Sequence, residues 1–182
     1  MTDTDKILVL GGCRSGKSSH ALQLAEGMGQ RRVFVATCVP HDDEMQARVA
    51  RHRKERSDSW TTLEIPVDLA DAITAHGPAA DVMLVDCLTL WLSNLLMQTQ
   101  DVKQIRRRID GLAEAVKSAA CAVILVSNEV GAGIVPENRL ARLYRDLAGW
   151  TNQDVAAACD RVVWTVAGIP VTIKPPFPNA TP

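Results

Sequence analysis

Gly11-Gly12-Cys13-Arg14-Ser15-Gly16-Lys17-Ser18 follows the apolar run from Lys6 to Leu10 and precedes a helical pattern that begins at Lys17. The spacing is G-x-x-x-x-G-K-[ST], and the order strand, loop, helix is the context in which that motif works. Glycines let the backbone wrap closely, so several N–H groups and the positive end of the next helix converge on phosphate oxygens. In such a loop Lys17 neutralises the β and γ oxygens and Ser18 ligates Mg²⁺. The stretch therefore predicts a bound magnesium nucleoside triphosphate. A glycine-rich turn that matches by chance is the competing reading, and the flanking strand and helix argue against it.

Outward from the loop, short β-rich runs alternate with helical stretches. Strands are expected over Lys6–Leu10, Arg32–Thr37, Thr61–Ile65, Val82–Asp86, Ala122–Ser127 and Arg161–Val166. Most are continuous apolar runs, as strands buried on both faces must be. Val171–Lys174 follows Gly168-Ile169-Pro170 too closely for a crossover helix, so it is expected to return as an antiparallel edge strand. Helices are expected over Lys17–Gly27, Asp42–Arg56, Val67–His76, Leu88–Gln98, Val102–Ala119 and Pro136–Ala158. In the last, Leu140, Leu143, Leu147 and Trp150 recur at helical spacing and predict a buried stripe. The fold class implied is α/β, P-loop NTPase-like, with a mostly parallel sheet, helices on both faces and an antiparallel edge strand at its C-terminal end. Residues 1–182 are expected to form a single nucleotide-binding domain, closed by a proline-rich tail over 175–182.

Composition narrows the function. The 182 residues carry 20 Lys plus Arg against 21 Asp plus Glu, so no overall field would hold nucleic acid or an anionic membrane. Aromatic residues make up 4% of the chain, too few for stacking platforms on single strands. Cys13, Cys38, Cys87, Cys121 and Cys159 are scattered without metal or redox spacing, and read as reduced thiols. No secretory signal or membrane span is evident. A soluble, cytoplasmic protein is expected.

Three further sites draw attention. Asp86 ends a buried strand, where a carboxylate commonly organises metal or nucleotide; capping the helix from Leu88 is its structural alternative. Arg48, His52 and Arg56 are spaced i, i+4, i+8 on one helix face, with Arg53 beside them. Like charges so stacked call for an anion, and phosphate matches guanidinium forks. Flanking cations lower the pKa of His52 and keep its imidazole neutral and nucleophilic. From spacing alone His52 is a solvated surface residue, a phosphate ligand or a covalent acceptor of a nucleotidyl group. His20 reads as helix surface and His76 as a helix end. Finally, Asn128-Glu129-Val130-Gly131-Ala132-Gly133-Ile134-Val135-Pro136 follows the fifth strand at the sheet edge where α/β folds bind ligands. Glu129 is there a candidate substrate contact or base; alternatively the glycines only turn the chain and Pro136 starts the helix.

Taken together, GGCRSGKS near the start, RVARHRKERSDSW in the second helix, NEVGAGIVP after the fifth strand and RLARLYRDLAGWTNQDVA in the last helix resemble the bifunctional adenosylcobinamide kinase / adenosylcobinamide-phosphate guanylyltransferase of cobalamin biosynthesis. The likeness spans nearly the whole chain. It implies phosphorylation of the aminopropanol hydroxyl of adenosylcobinamide by ATP or GTP, then transfer of GMP from GTP onto that phosphate with release of pyrophosphate. The resemblance puts the guanylyl carrier at His52. It implies nucleotide contacts from Gly11, Gly12, Cys13, Arg14, Ser15, Gly16, Lys17 and Ser18, from Ala36, Thr37 and Cys38, from Arg53, Lys54, Glu55 and Arg56, and from Glu64 and Asp86, with Ser18 and Asp86 at the Mg²⁺. It also implies a homotrimer with active sites near subunit boundaries. Two departures stand out: Ser57 replaces a proline found in many members, and Arg51 replaces a second histidine found in some. Two rivals remain, a phosphate-loop kinase of another small alcohol and a nucleotide switch acting on nucleic acid.

Overall fold

The computed structural model describes residues 4–40, 46 and 59–174. Seven strands form one sheet in the order β3-β2-β4-β5-β1-β6-β7: β1 is Lys6–Gly11, β2 Arg32–Ala36, β3 Trp60–Glu64, β4 Val82–Asp86, β5 Ala122–Asn128, β6 Arg161–Val166 and β7 Ile169–Lys174. All neighbours are parallel except β6 and β7. The expected antiparallel edge strand is therefore present and begins earlier, at Ile169. Ala167 and Gly168, with φ of 51° and 81°, make the tight turn whose positive φ values suit the twist of a hairpin.

Five described helices accompany the sheet: α1 Lys17–Glu26, α2 Leu69–His76, α3 Leu88–Gln98, α4 Val102–Ser118 and α5 Arg139–Ala158. Alternation along the central strands divides the core. Ile7, Val9, Leu84 and Ile124 face Ala21 and Ala25 of α1, whose small side chains let the helix lie close beneath the phosphate loop. Leu8, Met83, Val85 and Val123 face the other way, onto Leu92 of α3, Ile105, Ile109 and Leu112 of α4, and Leu147 and Val155 of α5. Helices thus cover both faces. Each large aliphatic side chain buried here contributes roughly 1.5–3 kcal/mol.

Several boundaries differ from the sequence reading. β2 stops at Ala36 because Thr37 turns its hydroxyl onto Cys87. β3 runs Trp60–Glu64, one residue earlier than expected, paired to β2 along its length. α2 starts at Leu69 after Asp68, and α1 and α4 each end one residue sooner, at Glu26 and Ser118. α5 starts at Arg139, not Pro136, because the Asn138 side chain accepts from the N–H groups of Leu140 and Ala141 and so caps the helix there. The predicted stripe on α5 is also rotated. Leu147 is buried, but Leu140 and Trp150 are 47% and 42% exposed, and the buried face runs through Leu147, Ala148, Thr151, Asn152 and Val155. Trp150 instead lies under the Arg106 guanidinium, 5.5 Å from its ring centroid. The expected helix over Asp42–Arg56 lies outside the described residues except for Gln46, which is helical, and the proline-rich tail lies outside them too.

Candidate active site

The phosphate loop leaves β1 at Gly11 and enters α1 through Gly16, whose φ of 96° and ψ of 5° are left-handed and suit a residue without a β-carbon. A β-carbon at Gly11 would collide with the Thr165 carbonyl and stand 2.6 Å from Ser15 Oγ. Arg14 is also left-handed, at φ 55°, which is costly for a branched-out side chain and is tolerated where neighbours fix the backbone. Those neighbours are identifiable: Ser15 N–H donates to Gly12 O at 3.3 Å, and the Ser15 carbonyl accepts from Gly168 N–H at 2.9 Å. Gly12, Cys13 and Arg14 are exposed, Ser15 and Lys17 are buried, and Gly16 and Ser18 are half-buried. Lys17 Nζ donates to the Gly12 carbonyl at 2.6 Å. The ammonium is thus folded over the loop where phosphate oxygens compete well for it.

The sheet register brings other predicted residues to the same edge. Ala36 lies opposite Glu64 on one side and Asp86 on the other, and β5, which separates Asp86 from the phosphate loop, pairs its Asn128 with Gly11. Thr37 is buried, and its hydroxyl both accepts from Cys87 N–H and donates to Cys87 O at 2.8 Å. Cys38 is half-buried. Asp86 does not cap α3: Cys87 holds the cap position, and no side chain caps it. Asp86 is half-buried, and among the described residues no ion pair engages it. Burial pushes the Cys87 thiol up, and the Asp86 carboxylate adds to that, so Cys87 stays protonated and unreactive.

Arg48, His52, Arg53, Lys54, Glu55 and Arg56 lie outside the described residues, as do Arg51 and Ser57. His20 is half-buried rather than on open surface, and burial together with Arg161 lowers its pKa. His76 ends α2 as expected. In the loop after β5, Glu129 N–H donates to the Gly11 carbonyl at 3.0 Å, and its carboxylate accepts from Gly131 N–H at 2.6 Å. That loop therefore flanks the phosphate loop directly, with Glu129 turned onto its own backbone.

A family model described as cobinamide kinase / cobinamide phosphate guanyltransferase matches residues 7–173. The chain belongs to this family. The bifunctional adenosylcobalamin biosynthesis protein CobP of Pseudomonas aeruginosa is 44% identical over 92% of this chain and 96% of its own length. The CobU proteins of Salmonella typhimurium and Escherichia coli, carrying the same bifunctional description, are 43% and 42% identical, each over 92% of this chain and 99% of theirs. Among solved structures, a KaiC-like protein from Pyrococcus horikoshii aligns with a TM-score of 0.51 and 16% identity over 89% of this chain and 71% of its own, a likeness of fold. This member of the cobinamide kinase / guanyltransferase family is thus an enzyme of cobalamin biosynthesis on a P-loop-like α/β frame.

The structure adds residues at this edge that motif reading passes over. Asn94 Nδ2 donates to the carbonyls of Thr37 and Pro66 at 2.8 and 2.9 Å. Ser127 Oγ donates to Asn152 Oδ1 at 2.7 Å, Asn152 Nδ2 to the Asn128 carbonyl at 3.2 Å, and Tyr144 OH to the Thr89 carbonyl at 3.1 Å. Polar side chains of α3 and α5 therefore brace the chain at the ends of β2, β3 and β5, and Tyr144 ties α5 to α3. The signal available in the sequence was polar residues, Thr151-Asn152, inside an otherwise apolar helix face; alone it does not identify their partners.

Proposed function

We propose that this protein phosphorylates adenosylcobinamide with ATP or GTP and then transfers GMP from GTP to adenosylcobinamide phosphate, giving adenosylcobinamide-GDP and pyrophosphate, with His52 carrying the guanylyl group between the two substrates. The observation that carries the reading is that one family description naming both activities matches residues 7–173, a span that includes both the phosphate loop and His52. One loop then serves both reactions in turn. In the first, the γ-phosphoryl group passes to the substrate hydroxyl. In the second, an imidazole nitrogen of His52 attacks the α-phosphorus, the bond to the β-phosphate oxygen breaks, and pyrophosphate leaves. The acceptor phosphate then attacks the same phosphorus and the N–P bond returns its electron pair to the imidazole.

Lys17 and the loop N–H groups would absorb charge on the β and γ oxygens in either reaction. Arg48, Arg53 and Arg56 would hold the histidine neutral and bind the phosphates beside it. Mg²⁺ is usually held by one or two protein oxygens together with substrate phosphates. Ser18 and Asp86 would hold it, and it would supply charge neutralisation between the β and γ phosphates. Among the described residues no helix is long and apolar enough to cross a membrane. We take the working form to be a cytoplasmic homotrimer of single-domain subunits.

The test is to mix the protein with α-labelled or γ-labelled GTP and Mg²⁺. Label from the α position should appear on the protein, survive alkali, be lost in acid, and be absent from His52→Ala. A wild-type chain that takes up no α-label overturns the covalent route.

A further inference from the structure

The two reactions make different demands on the site. The acceptor of the first is an alcohol, which must give up a proton as its oxygen takes the γ-phosphoryl group; the acceptor of the second is a phosphate, already ionised, and needs no base. A base for the first must stand beside the phosphate loop. Strand ends bring Glu64, Asp86 and Glu129 to that edge of the sheet, but β3 lies four strands from β1 and β4 two, whereas β5 is its immediate neighbour. On the other side β6 ends at Val166 and turns through Ala167 and Gly168, with no carboxylate. Gly11 and Asn128 are register partners, and the Glu129 N–H donates to the Gly11 carbonyl at 3.0 Å. Glu129 thus stands about 4.8 Å, one strand spacing, from the residue that opens the loop.

Its side chain is half-buried and in no ion pair among the described residues. One oxygen, Oε1, accepts from Gly131 N–H at 2.6 Å. The Gly131 carbonyl in turn accepts from Arg145 Nη2 at 2.8 Å, which ties this turn to α5. The other oxygen, Oε2, has no partner among the described residues and keeps accessible surface. Clamping one carboxylate oxygen fixes the direction of the lone pairs on the other. Gly12, Cys13 and Arg14 of the phosphate loop are exposed, so an acceptor can approach from above the loop.

We propose that Glu129 is the general base of the phosphoryl-transfer step, its Oε2 taking the proton of the acceptor hydroxyl. This rests on the kinase half of the reading above. As the hydroxyl oxygen bonds to the γ-phosphorus, the bond from that phosphorus to the β–γ bridging oxygen breaks, and its electron pair leaves with the nucleoside diphosphate. The proton passes to Oε2 and from there to water, while Oε1 stays on Gly131. Asp86 would hold Mg²⁺ in both reactions, whereas a base is required in one. In guanylyl transfer Glu129 has no proton to take, and its negative charge gives the phosphate acceptor nothing to pair with.

The experiment uses the full-length protein and two variants, Glu129→Gln and Glu129→Ala. Glutamine keeps a carbonyl oxygen for Gly131 N–H and loses the base; alanine loses both. Single-turnover transfer of γ-label from ATP to adenosylcobinamide is measured beside pyrophosphate release from GTP with adenosylcobinamide phosphate supplied. For Glu129→Gln the rate of γ-transfer should fall about 10²- to 10⁴-fold, while guanylyl transfer and the KM for ATP stay within about twofold of wild type. Glu129→Ala should lose γ-transfer likewise, and excess formate should restore part of it in a concentration-dependent way without changing guanylyl transfer. A glutamine variant with wild-type γ-transfer overturns the proposal. So does equal loss of both reactions, or an alanine variant that formate does not restore, since either makes Glu129 a support of the loop. A raised KM for adenosylcobinamide at an unchanged rate makes it a substrate contact and also overturns the base. If the wild-type chain moves no γ-label to adenosylcobinamide, the kinase reading fails and the base falls with it, whereas an active wild type beside an unaffected glutamine variant removes the base alone.

Discussion

Gly168 donates its backbone N–H to the carbonyl of Ser15 at 2.9 Å, so the turn of the last hairpin is tied to the phosphate loop at the far end of the sequence. The same turn packs against Gly16 of the loop: a β-carbon on Gly16 would stand 3.2 Å from Gly168 Cα. The β6–β7 hairpin is thus a buttress for the loop as well as the edge of the sheet.

Gly168→Ala tests that buttress. No atom lies within 4 Å of a β-carbon there, so the cost is conformational, arising from φ of 81°, and amounts to about 1–2 kcal/mol. Thermal unfolding should shift down by about 2–4 °C per kcal/mol for a chain of this size. Because the strained residue holds Ser15, the KM for GTP should rise in both half-reactions. A variant with lowered Tm and unchanged nucleotide KM would show that the hairpin does not position the loop.

Lys17 and His52 should separate in their effects. Lys17 reaches over the phosphate loop at the Gly12 carbonyl, and in the proposed scheme the same loop serves both triphosphate reactions, so Lys17→Ala should lower kcat/KM of each by about 10²-fold or more. His52→Ala should abolish guanylyl transfer and leave kinase turnover close to wild type. The check is parallel assay of γ-phosphoryl transfer and pyrophosphate release. A Lys17 variant defective in only one reaction would mean that the two reactions use different phosphate sites.

Asp81 supplies a pH-dependent clasp at the opposite edge of the sheet. Its carboxylate accepts from the N–H groups of Gln30 and Arg31 and from the Arg31 guanidinium. The Arg31 side chain first, and then these backbone donors, lower its pKa from 3.8 to about 2. Because the folded value lies below the unfolded one, the stabilisation is complete above about pH 4 and is lost as pH falls through about 2. Acid titration of stability should therefore show a steeper loss between pH 4 and 2 for wild type than for Asp81→Asn. Identical slopes would remove Asp81 from the acid response.

The sequence foretold most where chemistry and backbone pattern coincide. Gly11 to Ser18 had to follow a strand and open a helix, and Gly168 beside Pro170 left room only for an antiparallel return; both features are present. Ala36, Glu64 and Asp86 also reach one level of one sheet edge, a result that strand register decides and residue spacing along the chain does not reveal. What sequence periodicity missed lies on α5. Leu140 and Trp150 look like core by hydrophobicity, yet neighbouring elements leave them half in water, while Thr151 and Asn152 are buried. Tertiary hydrogen bonds override periodicity there: burying Asn152 is favourable only because Ser127 and the Asn128 carbonyl receive it.

That last contact gives the sharpest test of how the core supports the site. Ser127 and Asn152 are 1% and 6% exposed, and Ser127 Oγ donates to Asn152 Oδ1 at 2.7 Å. Asn152→Ala strands the Ser127 hydroxyl and removes a donor from the Asn128 carbonyl, at a cost of about 1–3 kcal/mol. Asn152→Leu adds overpacking to the same loss. Pairing Asn152→Ala with Ser127→Ala removes both partners, so the double variant should recover part of the stability, with a coupling of about 0.5–3 kcal/mol. Since Asn128 pairs with Gly11 and precedes Glu129, the single variant should also weaken GTP binding. Chemical denaturation of the four proteins in the cycle measures the coupling, and strict additivity would show that the hydrogen bond contributes nothing to holding β5 beside the phosphate loop.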